Sequence, residues 1–506
     1  MKPTRLVSRR VLGLASLCVA CCGSSVVAQD LAAGVKAALV DKVMARAEVG
    51  IEIVRLGATP DTSRPIFQQN HDTPFIPASN LKIVTTAAAL EGLGRDFRFK
   101  TRLLIKPVKS TTEPTRTTGE FDVIIIGDGD PTFGDAELLR KVGWDVDTVY
   151  KNWAEKLKAR GVTKVRQVLV DDSVFDAQMI HPDWPTDQLH KRYVAGVSGL
   201  NFNANCLDFY IAPGSSGVVN YSTVPQTKYA MVENSCVYGT ENAIWLSRMP
   251  TESRIVLKGT APRGGISVPV SVTVDDPSLF AGVVFSEVLQ RSGVQVSGGV
   301  KRDRAFRILA DRNQLALIDT TSVAVHETPI ELVIQRANKD SMNLYADALC
   351  KRLGFEKRGE GTWENGNAEI EKYLRNIGVK GAMRLADGCG LSKNNAISAR
   401  AITAVLVHEF TSENRKLFVE SMSIAGVDGT IKDQFQGYGM EGRVFAKSGF
   451  VNGVSCLSGY LLGRDGQWYA FSVLINKISG GGKQVRERVV AALDKYTATL
   501  PKGRAE

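Results

Sequence analysis

The chain has 506 residues, 44% hydrophobic and 23% charged, with 63 Lys and Arg against 53 Asp and Glu for a net charge of +10 at pH 7. That length exceeds one ordinary domain and supports a sizeable core, so a globular, multidomain protein is expected. No cluster of cations interleaved with aromatics is present, so nucleic acid is not an expected partner, and the basic excess fits either a mild attraction to anionic envelope polymers or a plain solvated surface.

The first residues read as an export signal. Lys2, Arg5, Arg9 and Arg10 precede an apolar stretch over 11–22, and Val26, Val27 and Ala28 offer a small-residue cleavage site. A signal over 1–28 predicts a periplasmic or cell-surface protein. The Ser8-Arg9-Arg10 string leaves Sec and twin-arginine export both open. Removing those four cations takes the charge from +10 to +6, and removing Cys18, Cys21 and Cys22 leaves Cys206, Cys236, Cys350, Cys389 and Cys456. In an oxidising compartment Cys206 and Cys236, both in the middle of the chain, could pair, although connectivity is not readable from sequence.

Residues 49–56 are strand-like, and 67–75 lead through a polar turn into an apolar helix running over 83–90. Ser79 opens that helix and Lys82 follows it by three, close enough for an amine to reach the hydroxyl. A free serine is a poor nucleophile, so an adjacent base is the needed partner. Residues 121–126, 165–171 and 254–259 alternate as strands with helical stretches over 149–160 and 278–292. The Gly127-Asp128-Gly129-Asp130-Pro131 run reads as a structural turn, since no glutamate stands at the calcium-loop spacing and no Gly-Lys-Ser/Thr follows.

Helical patterns then occupy 329–336, 341–353, 368–377, 398–410 and 484–493, with strands over 445–447, 454–462 and 468–475. Ser341-Met342-Asn343 begins one of those helices, and Lys447-Ser448-Gly449 lies on the first of the late strands. Strands from both ends of the chain are expected to share a sheet, making the catalytic domain discontinuous, over 29–96 and 311–506, with inserted domains over 97–310. The five histidines, His71, His181, His190, His326 and His408, form no close ligand spacing, and no metal or cofactor is expected.

Each of the three strings, S-x-x-K, S-x-N and K-[ST]-G, occurs by chance in a chain of this length, but their order and settings are those of penicillin-binding proteins and β-lactamases. With its large insertion, the chain resembles the class C penicillin-binding proteins, the D-alanyl-D-alanine carboxypeptidases and endopeptidases of the penicillin-binding protein 4 type, or peptidase S13 family. Further family-like strings are Gly129-Asp130-Pro131-Thr132, Asp171-Asp172-Ser173-Val174-Phe175, Asp387-Gly388-Cys389-Gly390-Leu391-Ser392, Gly426-Val427-Asp428-Gly429-Thr430 and Ser458-Gly459-Tyr460. Lys447-Ser448-Gly449 departs from the usual Lys-Thr-Gly while keeping the hydroxyl, and Cys389 interrupts Asp-Gly-Ser-Gly as a small buried residue or a rim residue.

The resemblance implies an α/β (α+β) serine penicillin-recognising transpeptidase-like fold, an antiparallel sheet with helices plus inserted β-rich domains. It implies Ser79 as nucleophile, Lys82 as base, and Ser341, Asn343 and Lys447 as further catalytic groups. Ser448, Gly449 and the Phe450 backbone would hold substrate, and Asp171, Lys393 and Asn452 would stand at the cleft edge to read a diamino-acid side chain. The implied partners are peptidoglycan stem peptides, with β-lactams as covalent inhibitors. A β-lactamase shares this acylation apparatus, and a non-catalytic peptidoglycan-binding protein would share the fold. Burst kinetics with a chromogenic β-lactam separate the first from a peptidase, and the intact Ser79, Lys82, Ser341, Asn343 and Lys447 argue against the second.

Overall fold

The computed structural model describes residues 31–502 except 114, 216 and 250–252; the expected export signal over 1–28 lies outside the described residues. Among them no helix is long and apolar enough to cross a membrane.

Two neighbouring strands of the main sheet, Val454–Leu462 and Trp468–Asn476, are buried along almost their whole length, which is why they read as continuous apolar runs rather than alternating ones. They are the centre of a six-stranded sheet in the order Ser423–Ile424, Val444–Val451, Val454–Leu462, Trp468–Asn476, Glu48–Arg55, Arg64–Gln69. All pairings in it are antiparallel, and strands from the two ends of the chain meet where Ile51 lies opposite Val473. On one face Leu457, Leu461, Phe471 and Val473 pack with Val485 and Val489 of the Lys483–Thr497 helix and with Leu31 and Val35. On the other, Cys456, Tyr460 and Leu474 pack into a helical lobe.

The middle of that lobe is the Leu81–Leu93 helix, in which every residue from Leu81 to Leu90 is buried. A helix apolar all round can be stable only when surrounded. Its neighbours are Ile330–Lys339, Asn343–Arg358, Trp363–Asn376 and Ala399–Thr411.

The insertion is built on a second, mixed sheet. Thr321–Pro329, Arg98–Lys109 and Thr117–Ile126 run antiparallel, and Lys164–Asp171 joins parallel, followed by Gln295–Val296 and Val300–Arg302. The Thr148–Ala159 and Pro277–Arg291 helices pack together against it. Smaller three- and four-stranded sheets fill the residues between 206 and 273.

Arg98 stands opposite Pro329 in the register, so the chain enters and leaves the insertion side by side. The exit is therefore at 329, not the 310 expected from sequence, because Thr321–Pro329 completes the insertion's sheet. The Asp128–Asp130 turn is structural: Asp128 pairs with Arg307 and accepts from the Lys100 amide, and Asp130 accepts from Thr132 and Thr328. Cys206 and Cys236 do not pair, and all five described cysteines are free and buried. Burial pushes the Cys206 thiol up to about 12.

One part of the insertion does not stay with its own sheets. Val174, Phe175, Trp184, Val194 and Val197 are buried in the same apolar cluster as Ile83, Val84 and Leu349 of the helical lobe. A segment counted in sequence as inserted thus packs in the core beside the central helix.

Candidate active site

Ser79 sits in a short 3-10 turn, Ala78–Asn80, that runs directly into the Leu81–Leu93 helix. Ala78 has φ 46°, a left-handed conformation that costs a non-glycine residue roughly 1–2 kcal/mol. Two glycines let neighbouring segments close on this turn. A Cβ at Gly390 would stand 1.9 Å from the Ala78 carbonyl oxygen, and one at Gly449 would stand 2.8 Å from Asn80 Oδ1. Asn80 also donates to Ser458 Oγ at 2.6 Å, fixing the turn to the sheet.

One helical turn on, the fully buried Lys82 brings its Nζ to 3.0 Å from Ser79 Oγ, 2.6 Å from Asn343 Oδ1 and 2.8 Å from the Cys389 carbonyl oxygen. Three acceptors match the three protons of an ammonium. Burial nevertheless holds the Lys82 pKa below that of an ordinary lysine, opposed by the nearby Asp347 and Asp387 carboxyl groups. Lys447, also fully buried, donates to Ser341 Oγ at 2.8 Å and to the Ser448 carbonyl at 2.7 Å. Its pKa is lowered further, first by burial and then by the Lys82 and Arg486 charges.

The structure brings Ser79, Lys82, Asn343 and Cys389 into direct contact, and Lys447 into contact with Ser341. Ser341 has φ 57°, a second non-glycine residue held left-handed beside the site. Ser448 donates to Thr430 Oγ1 at 2.9 Å. Gly449 is buried against the Ser79 turn, and Phe450 is exposed beyond it. Lys393 and Asn452 are exposed. Asp171 is not at the cleft. It is fully buried at the end of Lys164–Asp171, where its carboxylate accepts from the Ser173 and Arg307 backbone amides at 2.9 and 2.7 Å. Two buried amides occupy the oxygens that substrate recognition would need.

Sequence reasoning also missed what holds Asn343 and the Asp387–Ser392 loop. Asn343 Nδ2 donates to the Tyr193 carbonyl at 2.8 Å, a contact from the insertion. Trp184 Nε1 donates to Asp387 Oδ2 at 2.9 Å, and Asp183 accepts from Ser392 Oγ at 2.6 Å and Asn394 Nδ2 at 2.9 Å. Asp387 is further bonded by the Gly390 and Ser392 amides and Asn395 Nδ2, which shapes the loop so that the Cys389 carbonyl faces Lys82. Cys389 itself is fully buried and not on the rim. Beneath it Asp347, bonded by Trp363 Nε1 and the Gly388 amide, is pushed up to about 7 by burial and by the charge of Asp387. The Tyr193 contact is made by a backbone carbonyl, which no side-chain motif could have signalled.

A family model described as the D-Ala-D-Ala carboxypeptidase 3 (S13) family matches residues 31–500. The chain belongs to this family. It is 30% identical over 485 residues to the D-alanyl-D-alanine carboxypeptidase of Actinomadura sp. (strain R39), covering 92% of this chain and 85% of that protein. Its fold is similar to penicillin binding protein 4 (dacB) from Haemophilus influenzae, with a TM-score of 0.72 at 21% identity over 93% of this chain and 99% of that one. The same Haemophilus protein complexed with a novel β-lactam gives 0.66 at 21% identity over 94% and 99%. A predatory peptidoglycan endopeptidase from Bdellovibrio bacteriovorus gives 0.52 at 18% identity over 91% and 96%. The carboxypeptidase therefore has the penicillin-recognising serine hydrolase fold expected from its sequence, and its activity is that of a serine-type D-Ala-D-Ala carboxypeptidase.

Proposed function

We propose that this carboxypeptidase removes terminal D-alanine from peptidoglycan stem peptides with Ser79 as nucleophile and Lys82 as its base. The observation that carries the assignment is the 3.0 Å contact between Lys82 Nζ and Ser79 Oγ, made by a lysine that burial holds below its ordinary pKa. Neutral Lys82 takes the Ser79 proton as Oγ bonds to the carbonyl carbon of the penultimate D-alanine. The backbone amides of Ser79 and Phe450 take up the developing oxyanion. As the carbon–nitrogen bond breaks, the proton passes through Ser341 to the leaving D-alanine amine, with Lys447 donating to Ser341 Oγ. Water then cleaves the ester and restores Ser79.

Asn343 orients the substrate amide, Lys447 and Ser448 hold the terminal carboxylate, and Lys393 and Asn452 line the rim. The Haemophilus relative in complex with a β-lactam supports acylation of Ser79 by penicillins, and the Bdellovibrio endopeptidase supports cleavage of D-alanine cross-links as a second activity. The basic, apolar N-terminal segment supports export to the periplasm. Mass analysis of purified muropeptides after incubation with the enzyme tests the assignment. Loss of one alanine from pentapeptide stems is expected, with cross-linked dimers converted to monomers where the endopeptidase activity operates; unchanged stems would refute it.

A further inference from the structure

Away from the cleft, the far end of the Leu81–Leu93 helix meets Ala399–Thr411, and three side chains converge there: Glu91, His408 and Glu409. One ligand-type atom from each lies within 4.8 Å of the other two, and His408 Nε2 stands 3.7 Å from Glu91 Oε1. Bonds of about 2.0–2.1 Å in a tetrahedral site place neighbouring ligand atoms roughly 3.3–3.4 Å apart, so small side-chain rotations close the set on an ion.

Glu409 makes this more than a cluster of acids. It is fully buried, its Oε1 accepts from Tyr373 Oη at 2.9 Å, and its Oε2 has no hydrogen-bond partner. The carboxylates are held from outside: Tyr373 Oη steadies Glu409, Asn414 Nδ2 donates to Glu91 Oε1 at 2.9 Å, and the Tyr373 ring meets the His408 ring edge-on at 6.0 Å. A cavity of about 350 Å³ lined by Glu91, Lys357, Glu369, Lys372, Tyr373 and His408 opens on the Glu91 and His408 side of the cluster, with Glu409 buried behind them. Lys372 is taken by Glu369 at 3.5 Å, and among the described residues no lysine ion-pairs with Glu91 or Glu409.

We infer that Glu91, His408 and Glu409 bind a divalent transition-metal ion of the Zn²⁺ class, tying the far end of the helix that begins at Ser79 to its neighbour. An imidazole with two carboxylates and an open fourth position suits Zn²⁺; Mg²⁺ and Ca²⁺ prefer more, and only oxygen, ligands. The site is separate from the chemistry, and its occupancy should be read by binding rather than turnover.

The test is calorimetric and thermal titration of the untagged, EDTA-dialysed mature chain with ZnCl₂, with MgCl₂ in parallel. One Zn²⁺ per chain and a raised melting temperature are expected, with no response to Mg²⁺. His408→Ala and Glu91→Gln, both at partly exposed positions, should each weaken Zn²⁺ binding about tenfold or more. Both should keep covalent labelling by fluorescent penicillin, which reports that they fold. Absence of Zn²⁺ binding, an equal response to Mg²⁺, or unchanged affinity in either folded variant would overturn the site.

Discussion

The central cluster and the insertion segment that clasps it are built on opposite principles. The cluster places two lysines, Lys82 and Lys447, where burial disfavours their charge, and gives them hydroxyls and carbonyls rather than carboxylates as hydrogen-bond partners. The contact with the clasp instead rests on carboxylates that find neutral hydrogen-bond donors: Asp183 of the insertion accepts from Ser392 and Asn394, and Asp387 of the catalytic domain accepts from Trp184 of the insertion and from its own loop. A lysine held short of its ordinary pKa is chemically useful, whereas a carboxylate saturated with donors is only rigid. The insertion therefore supplies geometry, and the ends of the chain supply chemistry.

Breaking the chemical side should have the largest effect. Ser79→Ala removes the only side chain assigned to the acyl-enzyme, and D-alanine release should fall by about 10⁴-fold or more, measured on an acyl-D-alanyl-D-alanine peptide. Lys447→Ala leaves Ser341 without its donor and the substrate carboxylate without the amine assigned to hold it. A loss of roughly 10²–10³-fold in kcat/KM is expected, and unchanged efficiency would remove Lys447 from the mechanism.

The pH profile sharpens the same side. Lys82 must be neutral to accept the Ser79 proton, so acylation should rise with pH and level off as Lys82 deprotonates. Because burial lowers the Lys82 pKa, that plateau should be reached below pH 10.5, the value for an ordinary lysine. Asp347→Asn, which removes a charge favouring the protonated amine, should move the rise to lower pH; movement to higher pH would contradict the assignment.

Effects on the clasp should be smaller and should appear first in stability. Trp184→Phe deletes the indole donor to buried Asp387 and should cost about 1–3 kcal/mol in chemical denaturation, with a fall in kcat/KM as the Cys389 carbonyl loses its fixed position. Asp171→Asn should cost a similar or smaller amount of stability, since one of the two amides it receives loses its acceptor. Turnover of stem peptides with and without a free side-chain amine should then fall equally. A selective loss on the cationic stem would restore Asp171 to recognition.

The division between the two regions also explains what could be read from sequence. Ser79 and Lys82 are legible because three residues of helix place one over the other, and Lys447 is legible through the Lys447-Ser448-Gly449 string on a late strand, in order after the other two strings. Asn343 was legible as a residue but not in its support, which is the carbonyl of Tyr193, distant in sequence and without a side-chain signature. Asp171 misled because a conspicuous acidic string can be an internal staple as easily as a recognition site, and only its burial decides. The insertion's end was misplaced because Thr321–Pro329 returns to pair with Arg98–Lys109, a long-range register that local pattern does not encode.

The most direct test of the central claim is peptide mapping by mass spectrometry after brief exposure of the enzyme to benzylpenicillin. A single penicilloyl adduct on the peptide containing Ser79 is predicted, absent from Ser79→Ala and slowed in Lys82→Ala. An adduct on any other residue, or full-rate labelling of Ser79 without Lys82, would contradict the mechanism.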